Sequence, residues 1–94
     1  MKNLASGSMV EGMTTDLSEG GCGVRAAQLF STGAKILLEI NRSEAWLVVT
    51  AIVAYSLPPA AMGLAFVEMS PSHKKLLDAW LRAAVPTIRR NARQ

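Results

Sequence analysis

Residues 16–21 read Asp-Leu-Ser-Glu-Gly-Gly (DLSEGG) and form a compact polar corner between two strand-like segments, Val10–Thr15 and Cys22–Leu29. Asp16 offers hydrogen-bond acceptors, and Ser18 offers both a donor and an acceptor. The two glycines that follow permit positive φ and close approach of a ligand to the backbone. By itself the hexapeptide is typical of a tight turn, so a ligand-binding role depends on the segments around it.

The segments beyond the corner predict a mainly β chain. Strand-like stretches lie at residues 10–15, 22–29, 35–40, 46–56 and 62–68. The segment 46–56 is rich in β-branched residues, and Pro58-Pro59 ends it because proline cannot donate to a strand ladder. Gly63, inside the last strand, indicates a bulge or a close backbone approach.

The hydrophobic period changes after residue 69. Ser70 is placed as an N-cap and Pro71 as the first helical residue. One helical face carries apolar side chains, namely Leu76, Leu77, Trp80, Leu81 and Ala84. We expect Pro86 to limit this helix. The layout predicts a small antiparallel barrel or rolled sheet, with the Trp80 face of a terminal helix covering its hydrophobic opening.

The composition bounds the class of protein. The chain has 94 residues, of which 50% are hydrophobic and 18% charged, and this favours one small globular domain. A single cysteine excludes an intramolecular disulfide and fits a reducing cytoplasm, which is the expected location. The longest apolar stretch, residues 45–54, is too short to span a bilayer.

The net charge of +3 is unevenly distributed. Residues 69–94 carry six basic residues against Asp78 alone, whereas residues 1–24 are slightly acidic. A basic terminus attracts phosphates, nucleic acids or membrane surfaces, but this one lacks the aromatic residues that stack on bases. We therefore expect a solvated helix end followed by a basic tail, with no nucleic-acid partner and no membrane span.

The sequence shows no catalytic constellation. The only histidine, His73, falls in the first helical turn, on a different face from Asp78, and is expected to be an exposed polar residue. One cysteine and one histidine do not make a zinc site. Cys22 is expected to be a small buried apolar residue. We therefore expect no enzymatic activity, no metal and no cofactor.

The corner in its context resembles the (D/N)xSxxG motif of PilZ domains, with Asp16, Ser18 and Gly21 at the three fixed positions. The strands and closing helix over residues 12–81 also follow the order of that family. The resemblance implies a bacterial six-stranded barrel with a helix. It further implies a cyclic di-GMP site in which Asp16, Ser18, Gly20 and Gly21 face the guanine.

The chain departs from the family pattern at its N-terminus. PilZ domains carry an RxxxR motif upstream, whose arginines grip the phosphates and stack on guanine, and no arginine precedes Asp16 here. The first barrel strand is also expected to be absent, which leaves unpaired edges that a second copy would cover as a homodimer. Arg89 and Arg93 match the RxxxR spacing after the helix. Three interpretations of this match stay open: the pair replaces the missing motif at the corner of its own or a neighbouring chain, it marks the start of a second domain, or it belongs to a disordered basic tail.

Three functional interpretations remain open from the sequence, and the weakest of them is a basic-tailed binder of nucleic acids or membrane surfaces. The first is a cyclic di-GMP-binding PilZ-type regulatory module, with affinity reduced by the missing arginines. The second is a degenerate PilZ-like module that binds a protein partner and no nucleotide. The predicted organisation is a leader or tag-like segment at residues 1–9, a PilZ-like domain at 10–85 and a basic tail at 86–94.

Overall fold

The structure, a computed structural model, describes residues 1–42 and 44–92, and in the last helix it describes side chains as far as Ala83. Six strands precede one helix. They are β1 (Lys2–Asn3), β2 (Gly12–Leu17), β3 (Gly21–Ala26), β4 (Lys35–Arg42), β5 (Ala45–Leu57), β6 (Ala61–Met69) and α1 (Pro71–Ala92).

All six strands form one antiparallel sheet in the order β1-β4-β5-β6-β3-β2. The sheet is curled into a half-barrel, and α1 packs against β5. The predicted antiparallel rolled sheet with a C-terminal helix is therefore confirmed. Because β1 and β2 lie at the two ends of this order, the curl brings the ends of the sheet towards each other without pairing them.

The core is built from one face of each long strand. Alternate residues of β5 are buried while their neighbours are partly exposed, as expected for a strand with one face towards a core. Leu77 and Trp80 of α1 close this core from above. The strand side chains buried with them are Cys22, Val24, Ala26, Ile36, Leu38, Ile40, Leu47, Val49, Ala51, Val53, Met62 and Leu64.

Gly63 has the role that its position predicts. The β5–β6 register shifts between Val53 and Tyr55, and Tyr55 then pairs with Gly63. A Cβ atom on Gly63 would overlap the Tyr55 ring, so the aromatic ring covers the glycine directly. This bulge lets the long β5 strand bend around the core.

The N-terminal segment corrects one expectation, because a first strand is present. Lys2 pairs with Leu37 and Asn3 with Ile36, so β1 covers part of the outer edge of β4. Met1 and Val10 exchange two backbone hydrogen bonds of 2.9 Å, which folds residues 1–10 into a hairpin. The small polar residues of this hairpin are typical of a linker, and the segment is ordered because β1 pairs with the edge of β4. The domain boundary at residue 10 stays a prediction.

The helix confirms its predicted start and contradicts its predicted end. The Ser70 hydroxyl accepts a 3.3 Å hydrogen bond from the His73 backbone N–H, as an N-cap should. The helix does not stop at Pro86 but continues to Ala92. An interior proline removes one backbone donor and strains one turn, and the turns on either side still propagate. The stretch predicted as a basic tail is therefore helical through residue 92.

No helix in the described part of the chain combines the length and the apolar character needed to cross a bilayer.

Candidate functional site

The polar corner is a tight turn between β2 and β3 with its own hydrogen bonds. The Ser18 backbone N–H donates to the Gly21 carbonyl at 2.9 Å, and the Ser18 hydroxyl lies 3.1 Å from the same oxygen. The Gly20 carbonyl accepts a 2.9 Å bond from the Phe66 N–H of β6. The corner is therefore closed within itself and fastened to the neighbouring strand.

The two glycines of the corner have different surroundings. Gly21 lies so close to β6 that a Cβ atom would overlap the Leu64 carbonyl oxygen. Gly20 has no neighbour within 4 Å of the same position. Packing of β3 against β6 therefore requires Gly21 whether or not a ligand binds, whereas Gly20 leaves open space beside the turn.

Asp16 is exposed on β2 and lies at a bulge. The β2–β3 register shifts between Thr14 and Asp16, and Asp16 then pairs with Gly23. The Thr15 hydroxyl donates a 3.0 Å hydrogen bond to Asp16 Oδ1. A Cβ atom on Gly23 would overlap the Asp16 carboxylate, so a glycine at 23 makes room for this side chain. Sequence reasoning missed Gly23, although an interior strand glycine is the usual signal for such a close approach.

An open seam separates β2 from β4 at the unclosed side of the half-barrel. Among the described residues, β1 pairs with only Ile36 and Leu37 of β4, so the edge at 38–42 faces β2 across the seam. Its larger compartment has a volume of about 540 Å³. The lining is mostly apolar with two carboxylates, and consists of Met1, Met9, Glu11, Gly12, Met13, Thr14, Val24, Leu38, Glu39, Ile40, Asn41 and Trp46.

The second compartment of the seam lies at the Asp16 end and is more polar. It has a volume of about 310 Å³, and we call it the Asp16 cleft. Arg42 stands across it, with the guanidinium carbon 5.8 Å from the centroid of the Trp80 ring. The other lining residues are Thr14, Thr15, Leu17, Ile40 and Asn41. No motif spacing links Arg42 to Asp16, which is why sequence reasoning did not find this residue.

The predicted site residues are only partly brought together. Asp16 lines the cleft, while Ser18, Gly20 and Gly21 form the adjoining turn. Arg89 lies nine residues beyond Trp80 on α1, about 14 Å of helical rise. The Arg89 side chain and the whole of Arg93 lie outside the described residues. That these two arginines replace the missing RxxxR motif therefore stays a prediction.

His73 corrects another expectation, because it is half-buried. Its Nδ1 atom lies 3.1 Å from the Val48 carbonyl oxygen and 3.3 Å from the Val48 nitrogen. Pairing of β5 with β6 begins one residue later, at Val49. In either tautomer, Nδ1 satisfies one backbone group of Val48. The histidine therefore supplies a hydrogen-bond partner to the β5 backbone where pairing with β6 ends.

Cys22 is buried next to the corner, as predicted. Burial, with a smaller contribution from the nearby Asp16 carboxylate, raises the pKa of its thiol from 9.0 to about 12. A protonated, inaccessible thiol is a poor nucleophile and a poor metal ligand. Within the described residues, no three His, Cys, Asp or Glu side chains are grouped to hold a metal ion.

The fold and the corner together define a class of protein. The chain is a small β domain: a curled six-stranded antiparallel half-barrel, packed against a helix, with a polar hairpin corner beside an open cleft. A profile of the PilZ domain matches residues 1–83, so the chain belongs to the PilZ domain family. That family consists of binding and regulatory modules of the cyclic di-GMP type. No curated protein and no solved structure matches the chain.

We expect Gly21→Ala to destabilise the protein by about 1–3 kcal/mol, because the new methyl group must displace the Leu64 backbone. The matched control is Gly20→Ala, which enters open space and should change stability by less than about 0.5 kcal/mol. Urea unfolding followed by circular dichroism measures both. Equal effects of the two substitutions would contradict the structural role assigned to Gly21.

We expect the free energy of unfolding to fall as the pH rises above 9. The unfolded Cys22 thiol then loses its proton, while the folded thiol, with a pKa of about 12, retains it. The folded state therefore binds more protons, and the loss approaches about 1.4 kcal/mol per pH unit. Urea unfolding from about pH 8 to about pH 10.5 should show a shallower decline for Cys22→Ala. Parallel curves would refute the shift.

Proposed function

We propose that the chain is a cyclic di-GMP-binding regulatory module of the PilZ type. The observation that carries this proposal is the Asp16 carboxylate, which is held at a bulge, exposed to solvent and placed on the wall of a cleft beside the Ser18–Gly21 turn. A fixed carboxylate suits the N1–H and N2–H groups of guanine, since ionised acceptors make the stronger hydrogen bonds. The open space beside Gly20 allows a planar base to approach the backbone closely.

Residues 1–15 contain no arginine, and this sets the strength of binding that we expect from the residues present. Each charge-assisted hydrogen bond that a ligand phosphate loses costs about 1.5–3 kcal/mol. Two such losses weaken affinity by a hundredfold or more. We therefore propose that this chain binds the nucleotide more weakly than a PilZ domain with a complete RxxxR motif.

The module works by binding, and we propose no catalytic step for it. Membership of a non-catalytic family supports this interpretation. The nucleotide would dock beside the corner and transmit its signal through the position of the termini. A single buried cysteine suits a reducing compartment, and we place the protein in the bacterial cytoplasm on that basis.

A protein-binding module without nucleotide is the second candidate function. The larger seam compartment supports it, because Met9 and Met13 are each 72% exposed and Trp46 is 54% exposed. Exposed methionine and tryptophan are enriched where proteins dock. In this alternative, the seam binds the partner and Asp16 has no ligand.

We expect cyclic di-GMP to bind the wild-type protein and Asp16→Ala to weaken that binding at least about tenfold, because the carboxylate acceptor is lost. The matched control is Glu19→Ala, which removes the same charge from the same hairpin but from the side facing another cleft. Isothermal titration calorimetry measures all three proteins. No heat at ligand concentrations of about 100 µM, a free energy near −5.5 kcal/mol, rejects the receptor function.

The same open seam leads us to propose a homodimer. Strand β2 and residues 38–42 of β4 present unpaired edges in the described structure, and such edges favour pairing with another chain. A second copy that places its own edge against the larger compartment of the seam would cover Met9 and Met13 as well, and would leave the Asp16 cleft open.

Light scattering after gel filtration should give twice the 10.0 kDa mass of one chain. Met13→Lys should shift the mass towards the monomer, since an edge lysine opposes strand pairing. Val67→Lys is the matched control, because Val67 is also exposed but lies on an interior strand of the sheet. A monomeric wild-type protein, or dissociation by both variants alike, would contradict dimerisation through the seam.

A further inference from the structure

Arg42 and Asp16 reach the same cleft from two strands that do not pair with each other. Asp16 lies on β2, at one end of the sheet order, and Arg42 is the last residue of β4. Only the curl of the half-barrel brings them to opposite walls of the Asp16 cleft. The cleft therefore combines a fixed acceptor with a fixed donor, on a chain whose sequence has no arginine upstream of the corner.

The Arg42 side chain has a defined position although it is exposed. Its guanidinium lies 5.8 Å from the Trp80 ring centroid, within the range of a cation–π contact. Trp80 is only 9% exposed and belongs to the core, so the ring is a rigid support. A guanidinium held by its face keeps its N–H groups free along its edges, where they can donate two parallel hydrogen bonds.

The geometry points to Arg42 as a specificity-determining ligand residue, which pairs with the O6 and N7 acceptors of a guanine base seated against Asp16. This inference rests on the proposed nucleotide-binding function and names the cation for that site. Arginine bound bidentately to O6 and N7 is the commonest specific contact with guanine. Asp16, on the facing wall, accepts from the donors on the other edge of the base.

The size and polarity of the cleft agree with a single base. A volume of about 310 Å³ is at the low end for small-molecule sites, so it suits one base of a dinucleotide. Adenine carries an amino donor where guanine carries O6. An adenine base would therefore direct a donor at the Arg42 guanidinium, and we infer that the site rejects it.

A purely structural role for Arg42 makes a different prediction. If the guanidinium only covers Trp80, then its loss lowers thermal stability and leaves the affinity of the folded protein unchanged. Arg42→Lys separates the two roles, because lysine keeps the charge near the ring but lacks the planar fork. Arg25→Gln is the matched control, since Arg25 is the other exposed strand arginine and does not line the cleft.

The test is calorimetric titration of wild type, Arg42→Gln, Arg42→Lys and Arg25→Gln with cyclic di-GMP and cyclic di-AMP, with melting temperatures measured in parallel. We expect Arg42→Gln to weaken cyclic di-GMP binding by roughly 5- to 150-fold, the range for one bidentate arginine–guanine contact. Arg42→Lys should lose most of the same affinity at an unchanged melting temperature. Both variants should discriminate less against cyclic di-AMP, and Arg25→Gln should behave as wild type.

Two results would overturn the inference, and they are distinguishable. If wild type binds, Asp16→Ala loses binding and Arg42→Gln retains it, then Arg42 has no role while the proposed function stands. If wild type binds neither dinucleotide, then the proposed function fails and this inference fails with it.

Discussion

The attachment of the β2–β3 hairpin to β6 determines where the candidate site lies. Gly21 allows β3 to approach the Leu64 carbonyl, and the Gly20 carbonyl accepts a hydrogen bond from Phe66. With this side of the hairpin held against the sheet, its other strand, β2, is left at the open side of the half-barrel. The bulge at Thr15 then places the Asp16 carboxylate over Gly23 and at the mouth of the cleft.

The open side of the half-barrel has two ends with different chemistry. At one end, the hairpin of residues 1–10 and the exposed Met9 and Met13 make an apolar compartment. At the other end, Trp80 of the helix and Arg42 of β4 make a polar one. The two candidate functions therefore use neighbouring regions of one surface, and a ligand at one end would contact strands that also form the other.

The sequence predicted the parts of the fold that depend on local pattern. The β-branched run that became β5, the Ser70 cap and the bulge signal at Gly63 all act over a few residues, and each is present. Long-range pairing explains most of the rest. Strand β1 has no strand-like pattern and forms because β4 offers it an edge. His73 is half-buried, and its ring contacts Val48.

The residues of the candidate site also differ in whether local sequence or long-range pairing places them. Asp16 and the turn after it are contiguous in sequence, so a short motif was enough to find them. Arg42 lies 26 positions away from Asp16 and reaches it only through the curl of the sheet. The predicted end of the helix at Pro86 was wrong for a separate reason. A proline inside a helix weakens one turn and does not always end the helix.

The packing of Gly21 against Leu64 bears on how the (D/N)xSxxG motif should be interpreted in other chains. Gly21 is required by the backbone of the adjacent strand, and the Ser18 hydroxyl bonds within its own turn, so folding is sufficient to explain both residues. A domain that has lost its nucleotide would keep both. An intact motif is thus a marker of the hairpin, and of its three fixed positions only the acidic one, with its unburied carboxylate, reports on a ligand.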